Sequence, residues 1–406
     1  MPRTHRQHWT SEDRQARRYR YVSFDVPPGA AGVAVHLDYD ASLAVVDLGV
    51  LDPEGFRGYS GGARDRFAIT GVAATPGYLP GPLPAGEWRV LLGLHRVPPE
   101  GVDTLVTVEV GDVRPEPPPS PPRPSAKPAR RELPAAPGRR WLAGDLHAHT
   151  LHSDGVLTID ELADLARGRG LDFLAVTDHN TISHHRHLDA AGRRAEVLLL
   201  PGQEVTTAEG HANCIGDAPW VDFREPADRW VDHAQAAGAL LSVNHPLAGD
   251  CRWRKPLSRR PPLAEVWHST WDRRVDDPLS WWARWGGVGV GGSDLHDPAR
   301  DTLGAPTTWV EVAGGGEPDG AAVLSGLAAG RVALSCDPRG PVLVRRDDAL
   351  VAVDADGATL IAPDGRRVRV RGPAQTLPGG DGPFAADAVA RGINDRRGGR
   401  RRDPRR

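Results

Sequence analysis

The chain has 406 residues, with 50 Lys or Arg against 53 Asp or Glu and a formal net charge of -3. This length accommodates two domains, one with a sizeable core, and the balanced charge makes no global case for a nucleic-acid partner. No apolar run approaches the roughly 20 residues needed to cross a bilayer, which argues against a membrane protein. The charged start MPRTHRQHWTSEDRQARRYR lacks the apolar segment of a secretory signal. Cys214, Cys251 and Cys336 are odd in number and have no CxxC spacing. They read as free thiols of a cytoplasmic protein rather than a disulfide framework.

Residues 1–112 are expected to form a β-rich N-terminal domain. The runs Tyr19–Phe24, Val33–Leu37, Trp88–Leu92 and Leu105–Val110 are short and alternating or β-branched. Turn signals at Pro27–Gly29, Pro53–Gly55 and Pro84–Gly86 separate them, a pattern that predicts a small β-sandwich. Residues 113–140 form a Pro-rich linker, with ten prolines among the 25 residues 114–138. Such a segment is expected to be an extended, semi-rigid spacer that buries no core.

Residues 141–340 change to strand–helix alternation. Candidate strands are Leu142–Leu146, Phe173–Thr177, Val197–Leu200, His211–Ile215, Ala239–Val243, Glu265–His268, Val288–Gly292 and Thr307–Val312. Candidate helices are Thr158–Arg169, which opens with capping-box spacing from Thr158 to Glu161, Ala227–Ala237 and Asp319–Ala329. The alternation predicts a parallel α/β barrel with its active residues at strand C-termini. Residues 341–406 read as a short β-rich extension and an Arg-rich flexible tail. The tail, with eight Arg in its last sixteen residues, reads as a frayed solvated end before a nucleic-acid arm.

Twelve of the sixteen histidines fall between Trp141 and Arg300, a concentration that points to metal chemistry. His147 and His149 close the first strand two residues apart, so both imidazoles face one side. Later strand ends carry His179, Glu204, His211 and His245, and the last brings a second two-residue pair, Asp294 and His296. With Asp154, nine N/O donors result, more than one mononuclear site uses, and two or three metals sharing bridging groups follow. The absence of Cys from the set suits Zn, Mn or Fe.

The ordered motifs DLHAHTLHSDG, AVTDHN, PGQE, the later His245-Pro246 and GSDLH resemble those of the PHP (polymerase and histidinol phosphatase) superfamily. With a β-rich domain ahead of them, the chain looks most like the CehA/McbA-like branch. The resemblance covers Trp141 to about Ser335 and implies a distorted (β/α)7 barrel with a trinuclear centre. It implies that His147, His149, Glu204 and Asp294 hold one ion, and that Glu204 bridges to a second with His211 and His245. Asp154, His179 and His296 would hold the third. His268 stands where relatives commonly have Asn, and either reaches the pocket as a substrate contact or caps its strand.

A hydroxide bridging two dications is a strong nucleophile at neutral pH, so the expected reaction is hydrolysis. Asp294 is also a candidate proton shuttle. Arg252 and Arg254, with Lys255 around Trp253, suit a substrate phosphate if the loop lines the barrel mouth, and mean little if it is solvated. His184, His185, Arg186 and His187 read as a solvated helix face with the pocket rim as alternative. Trp281, Trp282 and Trp285 have helix-packing spacing, and Trp271 could join them in an apolar wall. The leading reading is a phosphoesterase acting on a small-molecule ester. The alternatives are a carbamate or carboxylic ester hydrolase and a non-enzymatic metal-binding module.

Overall fold

The computed structural model describes residues 2–117, 119–249, 251–269, 276–317, 319–362, 366–378 and 385–387. Trp271 and the Arg-rich tail lie outside the described residues. The N-terminal region holds β1 (Arg3–Trp9), α1 (Ser11–Ala16), β2 (Tyr19–Val26), β3 (Gly32–Tyr39), β4 (Val45–Asp52), β5 (Gly55–Gly61), β6 (Arg66–Thr70), β7 (Gly86–Arg96) and β8 (Val102–Val110). These strands form two antiparallel four-stranded sheets, ordered β1-β8-β3-β6 and β2-β7-β4-β5. Alternate residues of both sheets, among them Val33, Val35, Val106, Leu48, Trp88 and Val90, are buried in one shared cluster. Strand periodicity supplies that apolar face, because successive side chains point to opposite sides.

The 113–140 segment is extended, but it is docked rather than free. Leu133 is buried in the core beneath the barrel, the Trp141 indole donates to Pro134 O at 2.9 Å, and Ser125 Oγ donates to Asp164 at 2.7 Å. The spacer expectation fails because the prolines space out Ser125, Arg130, Arg131 and Leu133, each of which finds a partner on the folded unit.

The barrel region contains β9 (Arg139–Asp145), α2 (Ile159–Arg169), β10 (Phe173–Val176), α3 (His185–Ala195), β11 (Leu198–Thr207), β12 (Gly210–Ile215), α4 (Ala227–Ala236), β13 (Leu240–Val243), β14 (Leu263–His268), α5 (Asp276–Trp285), β15 (Val288–Gly292), β16 (Thr307–Ala313), α6 (Gly320–Ala328) and β17 (Val332–Ser335). The expected capping box forms at Thr158 and Glu161, and α2 buries Ile159, Leu162, Ala163 and Ala166, one helical stripe. The nine strands make one sheet, ordered β15-β14-β13-β12-β11-β10-β9-β16-β17. It nearly closes: Thr308 Oγ1 on β16 accepts from Gly291 N at 2.9 Å and donates to Gly291 O at 2.8 Å on β15.

The sheet is mixed, not the parallel one expected from the alternation. β11 and β12 are antiparallel, as are β12 and β13, β9 and β16, and β16 and β17. Only Ala208 and Glu209 join β11 to β12, and so short a connection permits only a hairpin. β11 also runs well past the expected end at Leu200. Pro201-Gly202 looks like a break in the sequence, but Gly202 serves close packing: a Cβ there would lie 2.9 Å from Thr177 Cγ2.

Beyond the barrel, three-stranded sheets of β18 (Val342–Arg346), β19 (Ala349–Val353) and β22 (Ala374–Pro378), and of β20 (Thr359–Ile361), β21 (Arg367–Arg369) and β23 (Ala385–Asp387), complete the described residues. The N-terminal region packs directly on the barrel. Phe56 stacks on Trp220 with centroids 4.0 Å apart, Tyr59 meets Phe223, and Arg224 donates to the Tyr21 hydroxyl at 2.8 Å. Among the described residues no helix is long and apolar enough to cross a membrane, and all three cysteines are free.

Candidate metal centre

The near-closure of the sheet interleaves the first and last histidine motifs. Asp294 N donates to His147 O and His149 N donates to Leu295 O, both at 2.9 Å. His179 and Glu204 pair across an isolated parallel bridge, and Asn180 N donates to Glu204 O at 2.9 Å. Asn180, His245 and Asp294 all adopt positive φ, at 54°, 26° and 53°. Non-glycine residues rarely take up such conformations, which persist where the surroundings over-determine them.

Glu204 is fully buried at the middle of the cluster. Its Oε1 lies 3.3 Å from His147 Nε2, 3.2 Å from His211 Nδ1 and 3.3 Å from His245 Nε2, and it accepts from Asn244 Nδ2 at 2.8 Å. Its Oε2 lies 2.8 Å from His179 Nδ1 and 3.5 Å from His149 Nε2. Asp294 Oδ1 sits 3.1 Å from His147 Nε2 and 3.0 Å from His149 Nε2, while its Oδ2 faces His268 Nε2 at 3.2 Å. Asp154 Oδ1 lies 3.3 Å from His296 Nε2 and 3.6 Å from His179 Nε2. The structure thus gathers all nine sequence-predicted donors at one end of the sheet, and His268 with them.

Divalent ions fit this donor set. His149, Asp154, His179 and His296 offer ligand atoms within 4.8 Å of one another, as do His147, His149, Glu204 and Asp294, and also His179, Glu204 and His211. Buried His147 Nε2, His149 Nδ1 and Glu204 Oε2 have no hydrogen-bond partner among the described residues. Leaving such atoms unsatisfied is costly, and a cation would relieve it. The donors are imidazole nitrogens and carboxylate oxygens, a set that suits divalent metal ions.

Burial pushes the Glu204 carboxyl up, but the imidazoles of His147, His179 and His211 outweigh it and hold Glu204 well below the usual carboxylate range. Burial, with His296 and His179 adding to it, lowers His149 to about 4, so its ring is neutral. Burial also disfavours charge on His179, yet Asp154 and Glu204 overcome it and raise that ring to about 9.

Sequence reasoning missed Glu265. Its Oε1 lies 2.7 Å from His147 Nδ1, and its Oε2 accepts from His245 N at 2.7 Å. Glu265 and His268 are three residues apart and would face opposite sides of a regular strand. A bulge between Glu265 and Trp267 shifts the register, so both reach the cluster. The clustering of Glu265 beside His268 at a strand end was the available signal. Asp178 was also missed: it accepts from Thr150 N at 2.8 Å, Thr150 Oγ1 at 2.6 Å and Ser153 Oγ at 2.7 Å, bracing the loop that carries Asp154.

The remaining candidates divide. Arg252 is exposed beside Cys251, whose Sγ lies 3.4 Å from His245 Nδ1. Arg254 is also exposed, but its guanidinium is bound to Ala208 O on the β11–β12 turn. The solvated-face expectation fails for His184, which is fully buried with Nε2 against Gly202 O at 2.9 Å and Val176 O at 3.0 Å. Arg186 and His187 are exposed. Trp281 stacks on Trp285 along α5, as helix spacing requires.

Residues 145–246, which carry most of this cluster, match the family described as PHP domain. Over this segment the chain is similar to a PHP domain. Over 63 residues the chain is 38% identical to a 5'-3' exoribonuclease of Haemophilus influenzae, covering 16% of this chain and 23% of that protein. Another 83-residue match is 36% identical to a 3',5'-nucleoside bisphosphate phosphatase of Chromobacterium violaceum, covering 20% and 29%. The chain therefore spans about a quarter of the length of these curated relatives. Among solved structures, a two-domain protein of Bacteroides vulgatus containing a predicted PHP-like metal-dependent phosphoesterase aligns over 64% of this chain and 90% of its own, at 19% identity and a TM-score of 0.41. An amidohydrolase of Chromobacterium violaceum aligns over 48% and 98%, at 18% identity and a TM-score of 0.33.

Proposed function

We propose that this protein is a metal-dependent phosphoesterase of the CehA/McbA-like branch of the PHP superfamily, acting on a small phosphorylated ester in the cytoplasm. The observation that carries the reading is Glu204, a buried carboxylate with the imidazoles of His147, His211, His245, His179 and His149 all within 3.5 Å. A carboxylate so surrounded is placed to bridge cations. The two curated relatives, both named for phosphoester chemistry, support the choice of bond.

In this reading two or three divalent ions are held. His147, His149, Glu204 and Asp294 would take the first, Glu204, His211 and His245 the second, and Asp154, His179 and His296 the third. Ions bound there supply Lewis acidity, which lowers the pKa of water towards neutrality and offsets charge building on ester oxygens. The chain's own groups do the rest. Glu265 fixes the His147 ring through Nδ1, leaving Nε2 directed at the cluster. Asn244 orients Glu204 through Oε1. Asp294 would take a proton from the attacking water on Oδ2, the oxygen that His268 faces, and pass it to the leaving group. Arg252 meets the substrate phosphate, since Arg254 is committed to Ala208 O. The two N-terminal sheets act as a β-sandwich domain.

The test is to load the protein with Mn, Zn or Fe, count ions per chain, and assay a phosphodiester, a phosphomonoester and an aryl ester. Phosphoester cleavage supports the proposal. Cleavage of the aryl ester alone transfers the reading to carbamate or carboxylic ester hydrolysis. Fewer than two ions per chain with no turnover returns the protein to a binding module.

A further inference from the structure

The N-terminal sheets contribute to the barrel's site through one short loop. Residues 150–155 open the connection from the His147–His149 strand end to α2 and present Asp154. On the barrel side Asp178 anchors this loop through Thr150 and Ser153. On the other side the N-terminal region reaches it, and Ser183 Oγ of the barrel lies 2.7 Å from His152 Nδ1. Arg64, in the turn between β5 and β6, donates from Nη1 to Ser153 O at 3.0 Å and from Nη2 to Leu151 O. Gly77 N donates to Ser183 Oγ at 3.0 Å and approaches His152 Nδ1 at 3.4 Å, while Gly77 O accepts from Thr181 Oγ1 at 2.9 Å.

The fit leaves little slack. Gly77 has φ +99°, and a Cβ on it would lie 3.0 Å from His152 O. A Cβ on Gly155 would lie 2.5 Å from His149 C and O, so the loop folds tightly back on the strand that supplies His149. Arg64 holds the carbonyls of Leu151 and Ser153, which lead directly into Asp154. A planar guanidinium is suited to this, because its donors diverge at fixed angles and can span two acceptors at once.

We infer that Arg64 is a positioning residue for the ion held by His149, Asp154, His179 and His296, and that the N-terminal region thereby completes the site rather than merely accompanying it. The inference rests on the metal reading of that cluster. Asp154 is half exposed, with 47% of its side chain accessible, whereas Glu204 and His149 are fully buried. Its placement therefore depends on the loop backbone more than on packing around the side chain.

The experiment is equilibrium dialysis of the full-length protein against graded free Zn or Mn, with ions per chain counted for wild type, R64A, R64K and D154A, and melting temperature recorded in parallel. Expected for R64A is about a tenfold rise in the free metal needed to fill the site that D154A loses, the scale on which removing a group behind a ligand acts. The other sites should fill as in wild type. R64K keeps the charge but reaches one carbonyl at a time, so it should fall between R64A and wild type. It also serves as the test if R64A does not fold. D154A should bind one ion fewer. If D154A loses an ion while R64A and R64K fill like wild type, the positioning role is wrong and the metal reading stands. If D154A loses none, the metal reading of that cluster fails and this inference with it. If R64A weakens all sites alike and melts lower, Arg64 is only a structural tie.

Discussion

Oε1 of Glu265 lies 2.7 Å from Nδ1 of His147, and both side chains are buried. The contact assigns Nδ1 as the donor to Glu265, which would leave Nε2, the nitrogen facing Glu204 and Asp294, to ligate a cation. The same carboxylate accepts from His245 N, so one group registers two strand ends. Glu265→Ala is expected to weaken metal binding about 10- to 100-fold, measured by chelator competition. Glu265→Gln is the sharper variant: one amide end can still accept from His147, but the other turns a donor towards His245 N. An E265Q protein with wild-type affinity would show that the carboxylate's charge and acceptor pair are dispensable.

Glu204 and His179 test the centre itself. Glu204→Ala removes the group shared by five imidazoles, and His179→Ala removes a ring that touches both Glu204 and Asp154. Each should reduce turnover by more than the roughly 100-fold that loss of an outer partner causes. The N-terminal sheets should keep their near-ultraviolet dichroism, since their core is built from their own strands. Full activity in either variant would remove these residues from the centre.

The candidate donors were legible because most are polar residues at or just after the end of a predicted strand, with His211 opening one and Asp154 in the loop beyond the first, a pattern that chain order alone exposes. His268 was ambiguous and Glu265 unseen for one shared reason. Two-residue alternation assigns them to opposite faces, and the bulge at Val266 that reunites them leaves no mark in residue type. The mixed sheet was equally hidden, since strand–helix alternation does not reveal that Ala208 and Glu209 turn β11 straight back into β12. Arg64 could not be found by motif reading at all: its partners are backbone carbonyls nearly ninety residues away.

His184 sets a pH limit on stability. Burial lowers its ring to about 4, from an ordinary histidine value of about 6.5, despite the carbonyls of Val176 and Gly202 that oppose the shift. Between those two values the unfolded chain binds the extra proton and the folded chain does not. Stability is therefore complete above about pH 6.5, falls as pH drops towards 4, and loses nothing more from this group below that. The full loss is on the order of 3 kcal/mol. Thermal melts of metal-free protein from pH 7 to 4 should show this acid-side decline. His184→Gln should start lower but decline less steeply, by about one proton. An unchanged slope would place the acid sensitivity elsewhere.

Arg252 separates substrate recognition from chemistry. It lies on the loop whose Cys251 sulfur touches His245, and its neighbour Arg254 is held by Ala208 O. A guanidinium that meets a substrate phosphate equally in the ground and transition states contributes uniform binding, so its removal acts on KM and spares kcat. A charge-assisted hydrogen bond of about 1.5–3 kcal/mol corresponds to roughly a 10- to 100-fold rise in KM for Arg252→Ala with a phosphoester. Arg254→Ala should instead loosen the β11–β12 turn, lowering the melting temperature with a smaller effect on KM. Steady-state kinetics of both variants decide the assignment. Should Arg254→Ala raise KM while Arg252→Ala leaves it unchanged, the two roles are exchanged and the turn contact with Ala208 must give way when substrate binds.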